Sequence, residues 1–264
     1  MICQFGDVLV PIAIGRRFEN AHWSVANSII FKIFSFKTRY LYLLIFCSIL
    51  NAMKKLIYLS IVGFCFMFLV SFKQPESNKG WISLFDGKSL SNWKVGENAS
   101  TFSVDSGMII AHGPVAHLFY NGDVMNHNFK NFEFKAEAMT NPGSNSGIYF
   151  HTVYQESSWP KKGYEVQVNN SHTDWRRTGS LYAIEDVKEV YVKDKEWYTE
   201  YIKVEGKRII IKINDKTVVD YTEPENVKRD PGNEARLISS GTFALQGHDP
   251  KSIVHYRNIL VRPL

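Results

Sequence analysis

Cysteine is almost missing from this chain of 264 residues, and its three examples, Cys3, Cys47 and Cys65, all fall in the first quarter. Everything beyond Phe72 therefore has no disulfide, no thiolate nucleophile and no cysteine-ligated zinc ribbon, and an oxidising compartment costs it nothing. Net charge is missing from the same region. Of 31 Lys/Arg and 26 Asp/Glu, seven and two lie in residues 1–72, which leaves 24 of each sign beyond them. The basic balance of the whole chain thus belongs to its leader, and no basic face points to a nucleic-acid partner. Helical periodicity is nearly absent as well. No glycine-rich phosphate loop opens a helix and no Gly-x-Ser-x-Gly elbow occurs, which argues against nucleotide-dependent catalysis and serine hydrolysis.

Two apolar runs, 41–50 and 56–72, stand out, each too short or too interrupted to join the other in one membrane span. Met53-Lys-Lys55 separates them. A methionine, two lysines, an apolar stretch of about 17 residues and then polar Lys73-Gln-Pro-Glu-Ser-Asn follow the order of a secretory signal. Translation is therefore expected to start at Met53, with residues 1–52 an upstream extension or, alternatively, an extra membrane anchor. Residues 53–73 read as a signal peptide or an uncleaved N-terminal anchor, 74–79 as a linker and 80–264 as the working domain. The expected product is exported, periplasmic or secreted, and meets a membrane only through its N-terminal segment. Cys65 follows the bulky Phe64 and sits inside the apolar run, which argues against lipid attachment.

From Gly80 onward the texture is β throughout. Thr101-Phe-Ser-Val104 turns at Asp105-Ser-Gly107 into Met108-Ile-Ile-Ala111, and Phe132 to Met139 alternates apolar with charged residues. Trp197–Val204, Arg208–Ile213 and Thr217–Tyr221, separated by Glu205-Gly206 and Asn214-Asp215, form a three-stranded meander. Glu223 to Leu237, with Pro224, Pro231 and Gly232, reads as a long loop. About eleven to thirteen short strands with aromatic-rich faces predict an all-β, two-sheet β-sandwich of jelly-roll type.

Three segments carry the chemistry: Asn145-Ser-Gly-Ile-Tyr-Phe-His151, Tyr164-Glu-Val-Gln-Val168 and Phe243-Ala-Leu-Gln-Gly-His248. Alternation in an extended strand opposes Ile148 and Phe150 to Tyr149 and His151, Val166 and Val168 to Glu165 and Gln167, and Phe243 and Leu245 to Gln246 and His248. One sheet face would then hold a carboxylate, two imidazoles, two amides and a phenol, as a sugar cleft requires. Glu165 has the best individual case, because a carboxylate in a valine-flanked strand is costly unless paired or facing a wet cleft. The plainer explanations are an ordinary interior or surface role for His151 and His248, and cross-strand hydrogen bonding for Gln167 and Gln246. Asn145, Lys162, Arg176, Tyr182 and Trp175 complete the candidate substrate contacts, with His117 and Lys162 at the cleft rim and Trp159, Trp175 and Tyr182 able to stack on sugar rings or, more plainly, to pack in the core. His172 and Asp174 are the weak candidates for a divalent metal, since a metal site wants three or more ligands. No cofactor is otherwise implied.

These segments, together with Trp81-Ile-Ser-Leu-Phe-Asp-Gly-Lys-Ser-Leu-Ser-Asn-Trp93, Thr178-Gly-Ser-Leu-Tyr182 and Tyr256-Arg-Asn-Ile259, resemble the 3-keto-disaccharide hydrolase domain family over essentially all of residues 80–264. The resemblance implies a concanavalin A-like, glucanase-like sandwich, usually exported, in bacteria that first oxidise a sugar at C3. It also implies that the opening Leu-Phe-Asp-Gly and the final Arg-Asn-Ile belong to strand ends and packing. Sandwich glucanases, as the same resemblance implies, carry Glu-x-Asp-x-Glu on one strand. Glu165-Val-Gln167-Val-Asn169 has amides at two of the three positions.

Ordinary glycosidases need two carboxyl groups across the scissile bond. A ketone at C3 lowers the demand, because it acidifies the C2 proton and lets the C1 substituent leave by elimination. Glu165, His151 or His248 could take that proton, another imidazole or Tyr149 could protonate the leaving oxygen, and Gln167 and Gln246 could hold hydroxyls. The expected function is cleavage of 3-keto-glycosides or 3-keto-disaccharides, with or without rehydration, on an oligosaccharide or glycoside substrate. The alternatives are a non-catalytic, lectin-like module and a glycosidase for ordinary sugars that draws its second acid from Glu137 or Asp249.

Overall fold

The computed structural model describes residues 80–264 together with Leu50 and Met53–Lys55, so the expectations for the start, the signal or anchor and the linker fall almost wholly outside the described residues. No helix among the described residues is long and apolar enough to cross a membrane. Two compact units divide the chain, and the second, Asn78–Leu264, carries every strand described here.

Thirteen strands build two antiparallel sheets, as the turn pattern predicts. The larger sheet contains β1 (Ile82–Ser83), β3 (Phe102–Asp105), β4 (Met108–Ala111), β6 (Phe132–Thr140), β9 (Tyr198–Glu205), β10 (Arg208–Ile213), β11 (Lys216–Thr222) and β13 (Val254–Pro263). Its order is β11-β10-β9-β6-β13-β4-β3, with β1 on the flank of β13. The smaller sheet contains β2 (Trp93–Val95), β5 (Ala116–Tyr120), β7 (Ser146–Thr152), β8 (Tyr164–Val168) and β12 (Thr242–Gly247), in the order β2-β5-β12-β7-β8. Neighbours far apart in sequence give the crossed connections of a jelly-roll, concanavalin A-like sandwich.

Period-two alternation decides which residues fill the core. On β6, Phe132, Phe134, Ala136 and Ala138 point inward while Lys135, Glu137 and Met139 are only partly covered. The smaller sheet answers with Leu118, Ile148, Phe150, Val166, Val168, Phe243 and Leu245, all fully buried. Each such aliphatic or aromatic side chain stabilises the fold by roughly 1.5–3 kcal/mol on burial. Phe243 lies at the centre, with ring centroids 4.6–4.8 Å from those of Phe129, Phe132 and Phe134.

Three local features depart from simple alternation. In the run Trp81-Ile-Ser-Leu-Phe85 only Ile82–Ser83 pairs as a strand, because the chain turns at Asp86, whose carboxylate accepts from the Lys88 and Ser89 backbone N–H groups at 2.8 Å. Arg257-Asn258-Ile259 is no strand end. It forms a bulge inside β13, where the register against β6 shifts and Asn258 takes φ 50°. Most consequential is the end of β7, where the register against β12 slips between Thr242 and Ala244 and His151 adopts φ 56°. Two glycines make room for this kink. A Cβ on Gly163 would lie 2.2 Å from the Phe150 carbonyl oxygen, and one on Gly241 would lie 2.1 Å from that of Thr152.

The free edge of β8 is covered by its own downstream loop. Gln167 N–H donates to the Ser180 carbonyl, Gly179 N–H to that of Gln167 and Tyr182 N–H to that of Glu165, all at 2.9–3.0 Å. This false strand protects an exposed edge and sets Tyr182 beside Glu165.

Candidate functional site

The outward face of the smaller sheet is a grid defined by its ladders. One row runs His117, Gln246, Gly147, Gln167, and the next runs Phe119, Ala244, Tyr149, Glu165, since directly opposed residues share a face. Gly147 is the one position in the grid without a side chain, and the Glu165 side chain occupies the space. A Cβ at Gly147 would stand 2.7 Å from Glu165 Oε1.

Above the grid lies a cleft of about 270 Å³. Tyr149, Glu165, Gln167 and Gln246 form its floor, while Asn145, Asp174, Tyr182, Arg236, His248 and Trp159 form its walls. Glu165 is 5 % exposed and sits at the centre of a polar network. Gln246 Nε2 donates to Glu165 Oε1 at 2.9 Å and to the Tyr149 hydroxyl at 3.0 Å, and Arg236 Nη2 approaches Glu165 Oε2 at 3.5 Å. Burial pushes the Glu165 carboxyl above the usual glutamate range, with Arg236, Tyr149 and Gln246 pulling it back. Burial and the Glu165 charge likewise raise the Tyr149 phenol well above its ordinary value. Gln167 Nε2 donates to Asn145 Oδ1 at 3.0 Å, which ties together two further residues that line the cleft.

Arg236 escapes the sequence reading, because it lies in the loop that follows β11 and no periodicity marks a loop arginine. A buried anchor holds that loop in place. Glu223 takes the Tyr164 hydroxyl and the Ile238 backbone N–H, and Arg229 donates to the Tyr164 and Tyr221 hydroxyls at 2.7 and 3.1 Å. Arg236 then reaches the Tyr182 carbonyl at 3.4 Å and places its guanidinium 5.1 Å from the centre of the Tyr182 ring.

His248 enters from the end of β12. Its Nδ1 lies 2.8 Å from Asp249 Oδ2, an arrangement that orients the ring and leaves Nε2 available. Burial acts to raise the Asp249 pKa, but the hydrogen bonds from His248 and Ser252 outweigh it and hold it at about 2. His172, His248 and Asp249 bring one ligand atom each within 4.8 Å of one another, and among the described residues this is the group that could hold a metal ion. The expected pairing of His172 with Asp174 is corrected accordingly. His172 Nδ1 accepts from the Asp174 backbone N–H, while the Asp174 carboxylate lies 3.7 Å from Arg176 Nη1 and faces the cleft.

Other candidates are not where strand alternation puts them. The kink turns His151 out of the Tyr149 row and into the wall between the sheets, fully buried against Phe132 and Phe150. Its Nδ1 accepts from Ser239 N–H at 3.3 Å and its Nε2 faces the Lys130 carbonyl at 2.9 Å. Burial drops its pKa to about 4. Lys162 donates to the Ser240 carbonyl at 2.7 Å and is not part of the cleft lining. Arg176 lies between the rings of Trp175 and Tyr182, at 4.8 and 4.6 Å, and pairs with Asp186 at 3.1 Å, so it supports Tyr182 from outside. Glu137 pairs with Arg257 on β6 and β13 of the larger sheet, among residues that do not line the cleft.

A polar cleft with tyrosine and tryptophan walls on the outer face of a two-sheet jelly roll defines the class: a concanavalin A-like β-sandwich. Residues 80–262 match the family described as the 3-keto-alpha-glucoside-1,2-lyase-like domain, and the chain belongs to that family. It is 28% identical over 179 residues to a curated 3-keto-disaccharide hydrolase of Bacteroides thetaiotaomicron, a match that spans 57% of this chain and 61% of that protein's length. Two crystal structures from Parabacteroides distasonis, which carry provisional glycosyl hydrolase names, share the fold. The first has a TM-score of 0.60 at 21% identity and covers 73% of this chain and 98% of that one. The second has a TM-score of 0.54 at 24% identity and covers 70% and 99%.

Proposed function

We propose that this protein is an exported enzyme that cleaves 3-keto-glycosides by elimination across C1 and C2. The observation that carries the reading is Glu165, a buried carboxylate in the cleft floor whose pKa is raised toward the working range of a general base and which is fixed by Gln246 and Arg236. Glu165 takes the C2 proton, and the electron pair moves onto the C3 ketone oxygen as an enolate. Arg236 and the Tyr149 hydroxyl are the groups beside Glu165 suited to stabilise that charge. The enolate returns its pair to form the C1–C2 double bond, the C1–O bond breaks, and His248 supplies a proton to the departing oxygen. Water added across the new double bond makes the net reaction a hydrolysis. Were a divalent cation held by His172, His248 and Asp249 instead, it would supply Lewis-acid polarisation of the departing oxygen in place of the His248 proton.

Membership of a family described by 3-keto-glucoside lyase chemistry, and the name of the Bacteroides relative, support this reading. A second reading follows from Asp174, which lines the same cleft and gives Glu165 a carboxylate companion: hydrolysis of ordinary glycosides by two acids. The discriminating measurement is turnover of a nitrophenyl 3-keto-glucoside beside its unoxidised parent, with C2 protiated and deuterated, with and without divalent metal. Release from the keto sugar alone, slowed by deuterium and lost in Glu165→Gln, is expected. Equal release from the parent sinks the elimination mechanism in favour of the two-acid one.

A further inference from the structure

We propose that Tyr182 is a further catalytic residue, a phenol that donates a hydrogen bond to the C3 ketone oxygen and to the enolate that replaces it, with Arg176 and Asp186 holding it there from outside the cleft. This rests on the elimination reading above and adds a group from the cleft wall to those that act on the reacting oxygen.

Tyr182 is fixed at its backbone and again at its ring. Its N–H donates to the Glu165 carbonyl at 3.0 Å, and its own carbonyl accepts from Arg236 Nη1 at 3.4 Å. The side chain therefore starts from the strand edge next to the base. Two guanidiniums lie over the ring, that of Arg236 at 5.1 Å from its centre and that of Arg176 at 4.6 Å. Arg236 also reaches Glu165 Oε2, so base, arginine and phenol form one packed group in the cleft lining.

The hydroxyl is open to a ligand. Tyr182 is half-buried and lines the cleft, and its hydroxyl has no hydrogen-bonding partner among the described residues. Burial, with the charges of Glu165 and Asp174, outweighs the two guanidiniums and lifts the phenol above its ordinary pKa. It therefore keeps its proton at neutral pH and donates rather than abstracts. A ketone oxygen accepts only, and the charge it gains on enolisation strengthens a bond from such a donor.

Asp186 anchors this wall. Its Oδ2 accepts from Arg176 Nε at 3.1 Å and its Oδ1 from the Ala183 N–H at 3.0 Å, so one carboxylate holds both the guanidinium over the Tyr182 ring and the residue that follows Tyr182. Ala183 takes φ 59°, a left-handed conformation unfavourable for a residue with a Cβ, and the Asp186 bond holds that turn. Neither Arg176 nor Asp186 lines the cleft, so both are positioning residues that act through Tyr182.

The test uses a 3-keto C-glucoside, whose C1 carbon substituent cannot leave, so that enolisation is read as exchange of its C2 hydrogen by NMR in heavy water. Turnover of a nitrophenyl 3-keto-glucoside is measured beside it, and thermal unfolding confirms that each variant is folded. Tyr182→Phe is expected to slow both exchange and kcat about 100-fold, with KM changed far less. Arg176→Met should slow exchange about 10-fold, Arg176→Lys and Asp186→Asn less, and Arg176→Met should cost little more in the Tyr182→Phe background, because it acts through the missing hydroxyl. Exchange at the wild-type rate in Tyr182→Phe, or a loss confined to KM, overturns the role of the phenol while leaving the elimination reading intact. An Arg176→Met loss undiminished in the Tyr182→Phe background overturns the positioning role and shifts it to Asp174, 3.7 Å from Arg176 Nη1. Absence of exchange in wild type sinks the elimination reading and the phenol's role together.

Discussion

Two buried glutamates on two strands of this sandwich have opposite surroundings. Glu165 on β8 faces the cleft and is met by Gln246, Arg236 and the Tyr149 phenol. Glu200 on β9 faces the interior of the larger sheet, is fully buried, and neither of its carboxyl oxygens has a hydrogen-bonding partner. Burial raises both pKa values, and for Glu200 it is the sole cause. Burial alone therefore pushes a carboxyl up with nothing to oppose it. A base needs the same burial together with donors that stabilise its ionised form, and only the cleft face provides them.

Substituting Glu165 should break the comparison most severely. Glu165→Gln is expected to lower kcat/KM on a 3-keto-glycoside by about 10²–10⁴-fold while sugar binding persists, read by initial rates beside calorimetry. Gly147→Ala should come next. Its new methyl group would stand 2.7 Å from Glu165 Oε1 and displace the carboxylate without touching the core. A loss of turnover of about 10²-fold, with an unfolding midpoint near that of wild type, is expected from a misplacement of this size.

The remaining substitutions act on stability. His151→Phe keeps the aromatic packing but strands the Ser239 N–H and the Lys130 carbonyl. Chemical denaturation should show a loss of about 1–3 kcal/mol, and kcat per folded molecule should not change. Because the folded His151 pKa is depressed to about 4, wild type should also lose stability as pH falls through the ordinary histidine range, and the variant should lose less. Glu200→Met removes the unpaired acid and is expected to stabilise by about 1 kcal/mol at neutral pH, with turnover unchanged. The sign for Glu200 is the reverse of that for His151. Its folded pKa lies above the unfolded one, so its contribution is complete at low pH and is lost as pH rises through the glutamate range; the methionine variant should flatten that slope.

Alternation and turn residues made most of the strands legible in the sequence, including the meander of β9, β10 and β11. The same rule placed Glu165, Gln167, Gln246 and Tyr149 correctly on one face. It failed at His151, because the face of a residue after a kink depends on a register slip against a strand about ninety residues away. It was silent on Arg236 and on the meeting of His172 with Asp249, which depend on where loops return rather than on any local period. Glu200 shows the opposite failure. A glutamate in an alternating strand looks solvated from sequence, yet it shares its face with Tyr198, Ile202 and Val204.

The crossing at His151, where Gly163 and Gly241 press against the same stretch of backbone, bears on how this cleft can diversify. Both covering segments, 153–162 and 223–240, leave the sheets near known strand ends and return at one of these two glycines. Exchanges within 153–162 leave Arg236 and its hold on Glu165 in place, whereas 223–240 supplies Arg236 to Glu165 and the Ser239 N–H to His151. The two walls of the cleft therefore differ in how freely they can vary: the Trp159 segment can be exchanged by itself, while the Arg236 segment can change only together with the floor it braces.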